Sequence, residues 1–190
     1  LGDTALVGAR GGFLGQDFGA VNVYRNLNSA TGATTPDATL RSSDATSLVD
    51  GFGEFKNSFK GNTVIVGAPT TRLTLSQPLA IGRAYLYRDI DTVTGTVYEN
   101  AELTSFNLEP GDAFGFATAV SADGNTGLVS GTAAGSPFAG AVYLYRDLDS
   151  ASGVVFENAM LKASDAVGGD NFGESVDISG NVAIVGASYD

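Results

Sequence analysis

Three observations predict an all-β fold built of propeller blades: a repeat of about 60 residues, short apolar segments parted by Gly-centred turns, and no apolar spacing of helical period over ten residues. The repeat rests on three blocks in one fixed order. Tyr-Arg-Asp/Asn occurs at Tyr24, Tyr87 and Tyr145, separated by 63 and 58 residues. The positions from Arg25 to Leu40, Arg88 to Leu103 and Arg146 to Leu161 then align without a gap, with Gly32, Gly95 and Gly153 at one offset. The second block reads Gly2-Asp-Thr-Ala-Leu-Val-Gly-Ala9, Gly61-Asn-Thr-Val-Ile-Val-Gly-Ala68 and Gly180-Asn-Val-Ala-Ile-Val-Gly-Ala187, with a worn copy from Gly124 to Gly131. The third is Asp-x-Phe-Gly, starting at Asp50, Asp112 and Asp170.

Each repeat reads as a four-stranded antiparallel meander. A first strand alternates from Phe172 to Ile178 and stops at the turn Ser179-Gly180-Asn181. Its counterpart from Phe114 to Ala119 is rich in Gly and Ala, as crowding near a central axis requires. A second strand, Val182 to Val185, is apolar on both faces. After a loop of variable length, Gly140 to Arg146 forms a third strand. The turn from Asp149 to Gly153 leads into a fourth strand, Val154 to Leu161, its Gly supplying the positive φ of a hairpin. The pairs Tyr85/Tyr87 and Tyr143/Tyr145 are expected on opposite faces, as packing between blades. A solenoid or a stacked sandwich is the competing all-β arrangement; the Gly- and Ala-rich first strand favours blades. The chain divides into a partial blade (1–44), two blades (45–107 and 108–165) and a second partial blade (166–190), an incomplete propeller of about three repeats.

Composition narrows the function. The 190 residues carry 21 acidic and 10 basic groups, a net charge of −11. Binding to nucleic acid through clustered Lys and Arg is therefore not expected. Without Cys, the chain has no disulfide, thiolate zinc site or thiol nucleophile; without His, it has no Ser-His-Asp triad and no imidazole ligand. No apolar run reaches the roughly 18 residues of a spanning helix, so membrane insertion is not expected.

Phe52-Gly53 followed by Val66-Gly67-Ala68-Pro69, together with Gly140-Ala-Val-Tyr-Leu-Tyr145, resembles the FG-GAP repeat of the integrin α-chain β-propeller and its bacterial relatives. Asp17-Phe18-Gly19 is a decoy, because it precedes Ala20-Val-Asn-Val-Tyr24 and so aligns Gly19 with Gly82 and Gly140 of the third strand. The resemblance implies a propeller and, in some repeats, a calcium loop Asp-x-Asp-x-Asp-Gly-x-x-Asp between the first two strands. Here those connections run Phe59 to Asn62, Ser121 to Asn125 and Ser179 to Asn181, too short and with at most one carboxylate, so that site is not carried over.

A second acidic cluster recurs. Asp89 and Asp91, and Asp147 and Asp149, open the turn between third and fourth strands, with Glu99 and Glu157 returning opposite. They are the candidate metal ligands, for calcium held by two Asp, a turn carbonyl and Glu. Turn capping is the alternative, favoured by Asn26, Asn28 and Pro36 in the first copy. No other cofactor is expected. Asp50, Asp112 and Asp170 read as turn caps before the first strand. Arg25, Arg88 and Arg146 read as blade residues, pairing for example with Glu99 or Glu157 across the hairpin. A group that recurs in every repeat is structural by default, and no unique carboxylate pair stands out, so no catalytic residue is assigned. The segments unique to each repeat join second and third strands: Arg10 to Asp17, Thr70 to Ile81 and Thr132 to Ala139. The middle one, long and apolar, is the candidate partner contact.

The reading is a non-enzymatic, extracellular or cell-surface module for binding, adhesion or structure, with a protein or glycan ligand. Lectin-like carbohydrate binding and a propeller domain of a larger secreted enzyme are the alternatives. The residues open at a second strand (Thr4 to Ala9) and close after another (Val182 to Ala187). They are accordingly expected to be a piece of a longer chain, with the remaining blades supplied by that chain or, second, by another subunit.

Overall fold

The computed structural model describes residues 3–9, 19–44, 51–54, 56–70, 80–134 and 139–189. Within them lie fifteen strands, which fall into four units. The first unit holds β1 (Ala5–Ala9), β2 (Ala20–Tyr24) and β3 (Ala38–Arg41), with a 3-10 turn at Leu27–Ser29. The second holds β4 (Ser58–Lys60), β5 (Thr63–Ala68), β6 (Arg83–Tyr87), β7 (Gly95–Tyr98) and β8 (Ala101–Thr104). The third holds β9 (Phe114–Val120), β10 (Gly127–Gly131), β11 (Ala141–Tyr145), β12 (Gly153–Phe156) and β13 (Ala159–Leu161). The fourth is the hairpin of β14 (Ser175–Ser179) and β15 (Val182–Gly186). Within each unit the strands pair antiparallel as a meander, for example β4-β5-β6-β8 and β9-β10-β11-β13.

The fourth strand departs from expectation. It is two strands, and its first half belongs to the neighbouring unit. β7 runs parallel to β3, pairing Ala38 with Gly95 through Arg41 with Tyr98, and β12 runs parallel to β8, pairing Gly153 with Ala101 through Phe156 with Thr104. A polar corner divides the halves. The Asn158 side-chain oxygen accepts the Arg146 N–H at 2.7 Å, and its own N–H donates to the Leu144 carbonyl at 2.8 Å. Asn100 does the same with Arg88 (2.7 Å) and Leu86 (2.8 Å), and Asp37 with Arg25 (2.8 Å) and Val23 (2.8 Å). Because this residue satisfies the end of the third strand, the segment before it is free to leave the sheet.

The first strand also starts later than its alternation predicts. Phe52 and Phe172 sit in turns, and only Phe114 begins a strand. The backbone is left-handed at the residue before each Phe (Gly51, Ala113, Asn171) and at the Gly after it (Gly53, Gly115, Gly173), which interrupts the pleat. The glycine serves a second purpose, close approach between units: a Cβ on Gly67 would lie 1.8 Å from the Gly115 carbonyl oxygen. The decoy alignment holds, because Gly19, Gly82 and Gly140 press in the same way on the carbonyls of Phe52, Phe114 and Phe172.

The core lies between units. One apolar cluster joins Val21, Val23 and Leu40 of the first unit to Phe52, Val64, Val66, Tyr85 and Tyr87 of the second. Another joins Ile65, Leu86 and Leu103 to Phe114, Tyr143 and Tyr145, and a third joins Leu128 and Val142 to Ile178. Tyr85 and Tyr87 share one face, correcting the expectation that they oppose: residues two apart in a strand point the same way. Both meet Phe52, with ring centroids 5.6 and 6.2 Å apart. Their role between units stands. The Tyr87 hydroxyl donates to the Arg41 carbonyl at 2.8 Å and that of Tyr145 to the Thr104 carbonyl at 2.6 Å.

Candidate functional site

The recurring polar residues converge on the seam between units. At the turn after the third strand, Asn26, Asp89 and Asp147 adopt φ of 54°, 57° and 57°, a left-handed backbone that Asn and Asp tolerate better than other side chains. The next two N–H groups are taken by the second-block Asn. The Asn62 carbonyl accepts from Ile90 (3.4 Å) and its side chain from Asp91 (2.8 Å); Asn125 does the same for Leu148 (3.2 Å) and Asp149 (3.0 Å). Ile90 and Leu148 are thereby turned inward and buried.

The turn carbonyls then receive the arginine of the preceding unit. Arg88 donates to the carbonyls of Leu148 and Ala151, both at 2.8 Å, and Arg25 donates to that of Val93. The expected pairing of these arginines with Glu99 or Glu157 is not what forms. Glu99 instead accepts the Ser43 N–H at 2.9 Å and the Ser43 hydroxyl, and Glu157 accepts the Ser105 hydroxyl at 2.9 Å. The cause is the split fourth strand, which carries each glutamate onto the previous unit and away from its own hairpin.

Asp89, Asp91, Asp147 and Asp149 therefore sit on turns that glutamate has left. Among the described residues, no three acidic groups gather in an arrangement that could hold a metal ion. Asp112 and Asp170 cap as expected: their carboxylates accept the Glu109 N–H at 2.8 Å and the Val167 N–H at 2.6 Å. Burial pushes the Asp112 carboxyl above its usual range, against the pull of that backbone bond. Asp50 lies outside the described residues, as do 10–17, 71–79 and 135–138 of the three unique segments.

One charged cluster was not singled out from sequence. Arg83 bonds Asp44 and, at 2.9 Å, Glu102, while the Tyr85 hydroxyl donates to Asp44 at 2.8 Å. Burial raises the Tyr85 hydroxyl and the Glu102 carboxyl, with Arg83 opposing both shifts. Its signal was a charge standing where the other repeats have Ala20 and Ala141. A cleft of about 400 Å³ between the first two units is lined by Leu6, Val21, Lys56, Asn57 and Phe59 among others. The Lys56 ammonium donates to the Glu174 carbonyl at 2.9 Å.

Sheets that meet face to face and exchange outer half-strands define the class: a repeat module of propeller-type blades. Residues 155–190 match the family model described as FG-GAP repeat, a stretch that holds Phe172-Gly173 and Gly186-Ala187. That match agrees with the resemblance carried by the motifs. No curated protein matches the chain. No helix among the described residues is long and apolar enough to cross a membrane.

Proposed function

We propose that this chain is a non-enzymatic binding or structural module of an extracellular or cell-surface protein, recognising a protein ligand through the segments between second and third strands. One observation carries the reading: the recurring Arg, Tyr and Glu are committed to bonds that hold neighbouring units together, and the recurring Asn to closing the turn within its own unit. Specific contact then falls to segments that differ between repeats, foremost 70–81. The test is a panel of immobilised surface proteins, a glycan array and chromogenic hydrolase substrates. Saturable protein binding, lost when residues 73–79 are replaced by Gly and Ser at unchanged melting temperature, supports the reading. Turnover of any substrate overturns it.

A lectin-like reading keeps one observation in its favour. Phe106 and Phe156 stack with centroids 3.9 Å apart and planes 9° apart, and Phe106 is 75% exposed. Exposed aromatic faces are what a sugar ring packs on. Glycan binding abolished by Phe106→Ala would establish that alternative.

A further inference from the structure

The hairpin that follows β2 departs in chemistry from its two later copies. From Asn26 to Pro36 it reads Asn-Leu-Asn-Ser-Ala-Thr-Gly-Ala-Thr-Thr-Pro, without a charged residue, in a chain of net charge −11. The copies carry Asp89, Asp91 and Glu99, or Asp147, Asp149 and Glu157, at the aligned positions. The stretch that becomes β7 and β12 in the copies is here Gly32-Ala-Thr-Thr35, followed by Pro36, and forms no strand. Every residue from Asn26 to Asp37 is exposed. Among the described residues, no group from Thr31 to Pro36 makes a hydrogen bond, whereas the hydroxyls of Ser29 and Thr39 on either side donate at 3.0 Å to the Asn26 carbonyl and the Asn22 side chain. The exposure belongs to the position itself. Where the copies lie on a neighbouring unit, Thr94 and Ser152, the counterparts of Thr31, are exposed, as are Tyr98 (56%) and Phe156 (40%), the counterparts of Thr35. Val97 and Val155, the counterparts of Thr34, are half-buried and pack on the apolar clusters between units.

We propose that Thr31 and Thr35 are acceptors for O-linked glycosylation by a transferase that uses a nucleotide-activated sugar. In that step the threonine oxygen attacks the anomeric carbon of the sugar. The bond from that carbon to the diphosphate breaks, the nucleoside diphosphate leaves with the electron pair, and the hydroxyl proton passes to a base of the transferase. Four features of the segment suit it to this role. Ser, Thr, Ala, Gly and Pro in one short polar stretch are the composition of O-glycosylated segments. Pro36 biases Thr35 to an extended backbone, the form in which a peptide lies along an enzyme cleft. No carboxylate stands nearby to repel the anionic diphosphate of the donor. With no hydrogen bond to break from Thr31 to Pro36, the segment lifts from the fold at little cost. Thr34, by its position, faces the flank of the unit and not the solvent. Thr94 and Ser152 are exposed but fastened: the carbonyls just before them, of Val93 and Ala151, hold Arg25 and Arg88. Acidic residues flank both. They are therefore not acceptors. The site stands whatever ligand the module itself recognises.

Mass spectrometry of the protein isolated from the cells that make it tests this. Cleavage after Arg25 and Arg41 by a trypsin-type protease releases residues 26–41 as one peptide, and electron-transfer fragmentation places any added group on its residue. One or more sugar residues on Thr35, on Thr31 or on both are expected, with Thr94 and Ser152 unmodified. Thr31→Val with Thr35→Val, made in the same cells, should lose the added mass and keep its fold, because both side chains are exposed and make no bond among the described residues. A 26–41 peptide found only at its sequence mass overturns the proposal. So does a sugar confined to Ser29 or Thr34, a phosphoryl group in place of a sugar, or an added mass that the double variant retains. A sugar on Thr94 or Ser152 overturns the selectivity argued from their fastened backbone.

Discussion

At the scale of the residue, Asp112 shows how one carboxylate serves as a cap at an electrostatic cost. Its side chain accepts the Glu109 N–H, yet it is almost wholly buried, and burial raises its pKa above the ordinary 3.8. A raised carboxyl binds its proton more readily folded than unfolded. Its contribution to stability is therefore greatest at low pH and falls as pH rises from 3.8 through the raised value. Asp112→Asn keeps the side-chain oxygen that caps Glu109 and removes the titration. The variant should melt at or above the wild type at pH 7, and the difference should shrink on acidification to pH 4. A wild-type advantage at pH 7 that is lost on acidification would show that the cap needs the full charge.

At the scale of the element, the second strand is set by crowding. β5 is buried at all six positions, and its Gly67 backbone approaches Gly115 so closely that no side chain fits between them. Gly67→Ala should cost about 3 kcal/mol or more, because the atom it would strike is backbone and the adjacent sheets must part. Gly32 makes the contrast. It has φ of 70° and nothing within 4 Å of a built Cβ, so Gly32→Ala should cost only about 1–2 kcal/mol, from left-handed backbone strain. Chemical denaturation of the two variants checks the order; a Gly67→Ala cost no larger than that of Gly32→Ala would refute the close approach. The Phe-Gly and Gly-Ala glycines were legible as a repeat in the sequence. Their reason was not, because the atoms that exclude a Cβ lie far along the chain: in the next unit for Gly8 and Gly67, which meet Gly53 and Gly115, and in the preceding unit for Gly53, Gly115 and Gly173, which meet Val21, Arg83 and Ser130.

At the scale of the whole molecule, the units are held by what each lends to the one before it. These seams close on protein groups. Glu99 and Glu157 are bonded to Ser43 and Ser105, and the turns bearing Asp89, Asp91, Asp147 and Asp149 are closed by Asn62 and Asn125. Millimolar calcium should accordingly leave the melting temperature unchanged. A ligand at a hundred times its dissociation constant would add about 2.7 kcal/mol, which a thermal melt detects. A rise of several degrees, abolished by Asp147→Ala with Asp149→Ala, would establish calcium binding at these turns.

The sequence by itself determined the repeat, the all-β class, the order of strands and the turn glycines. Each of these follows from local patterns: β-branched apolar runs, Gly at positive φ, and Asn or Asp at left-handed positions. What only the tertiary structure decided is which neighbour each segment serves. Val154 to Leu161 reads as one strand because its residues suit β structure throughout, and nothing local marks Asn158 as a corner. Arg88 and Glu99 read as partners across a hairpin because opposite charges at that spacing attract. In the fold they diverge, since Glu99 travels with the outer half-strand onto the preceding unit while Arg88 faces the following one. Local pattern sets conformation within a few residues; the choice of partner depends on which surfaces remain uncovered once the sheets stack.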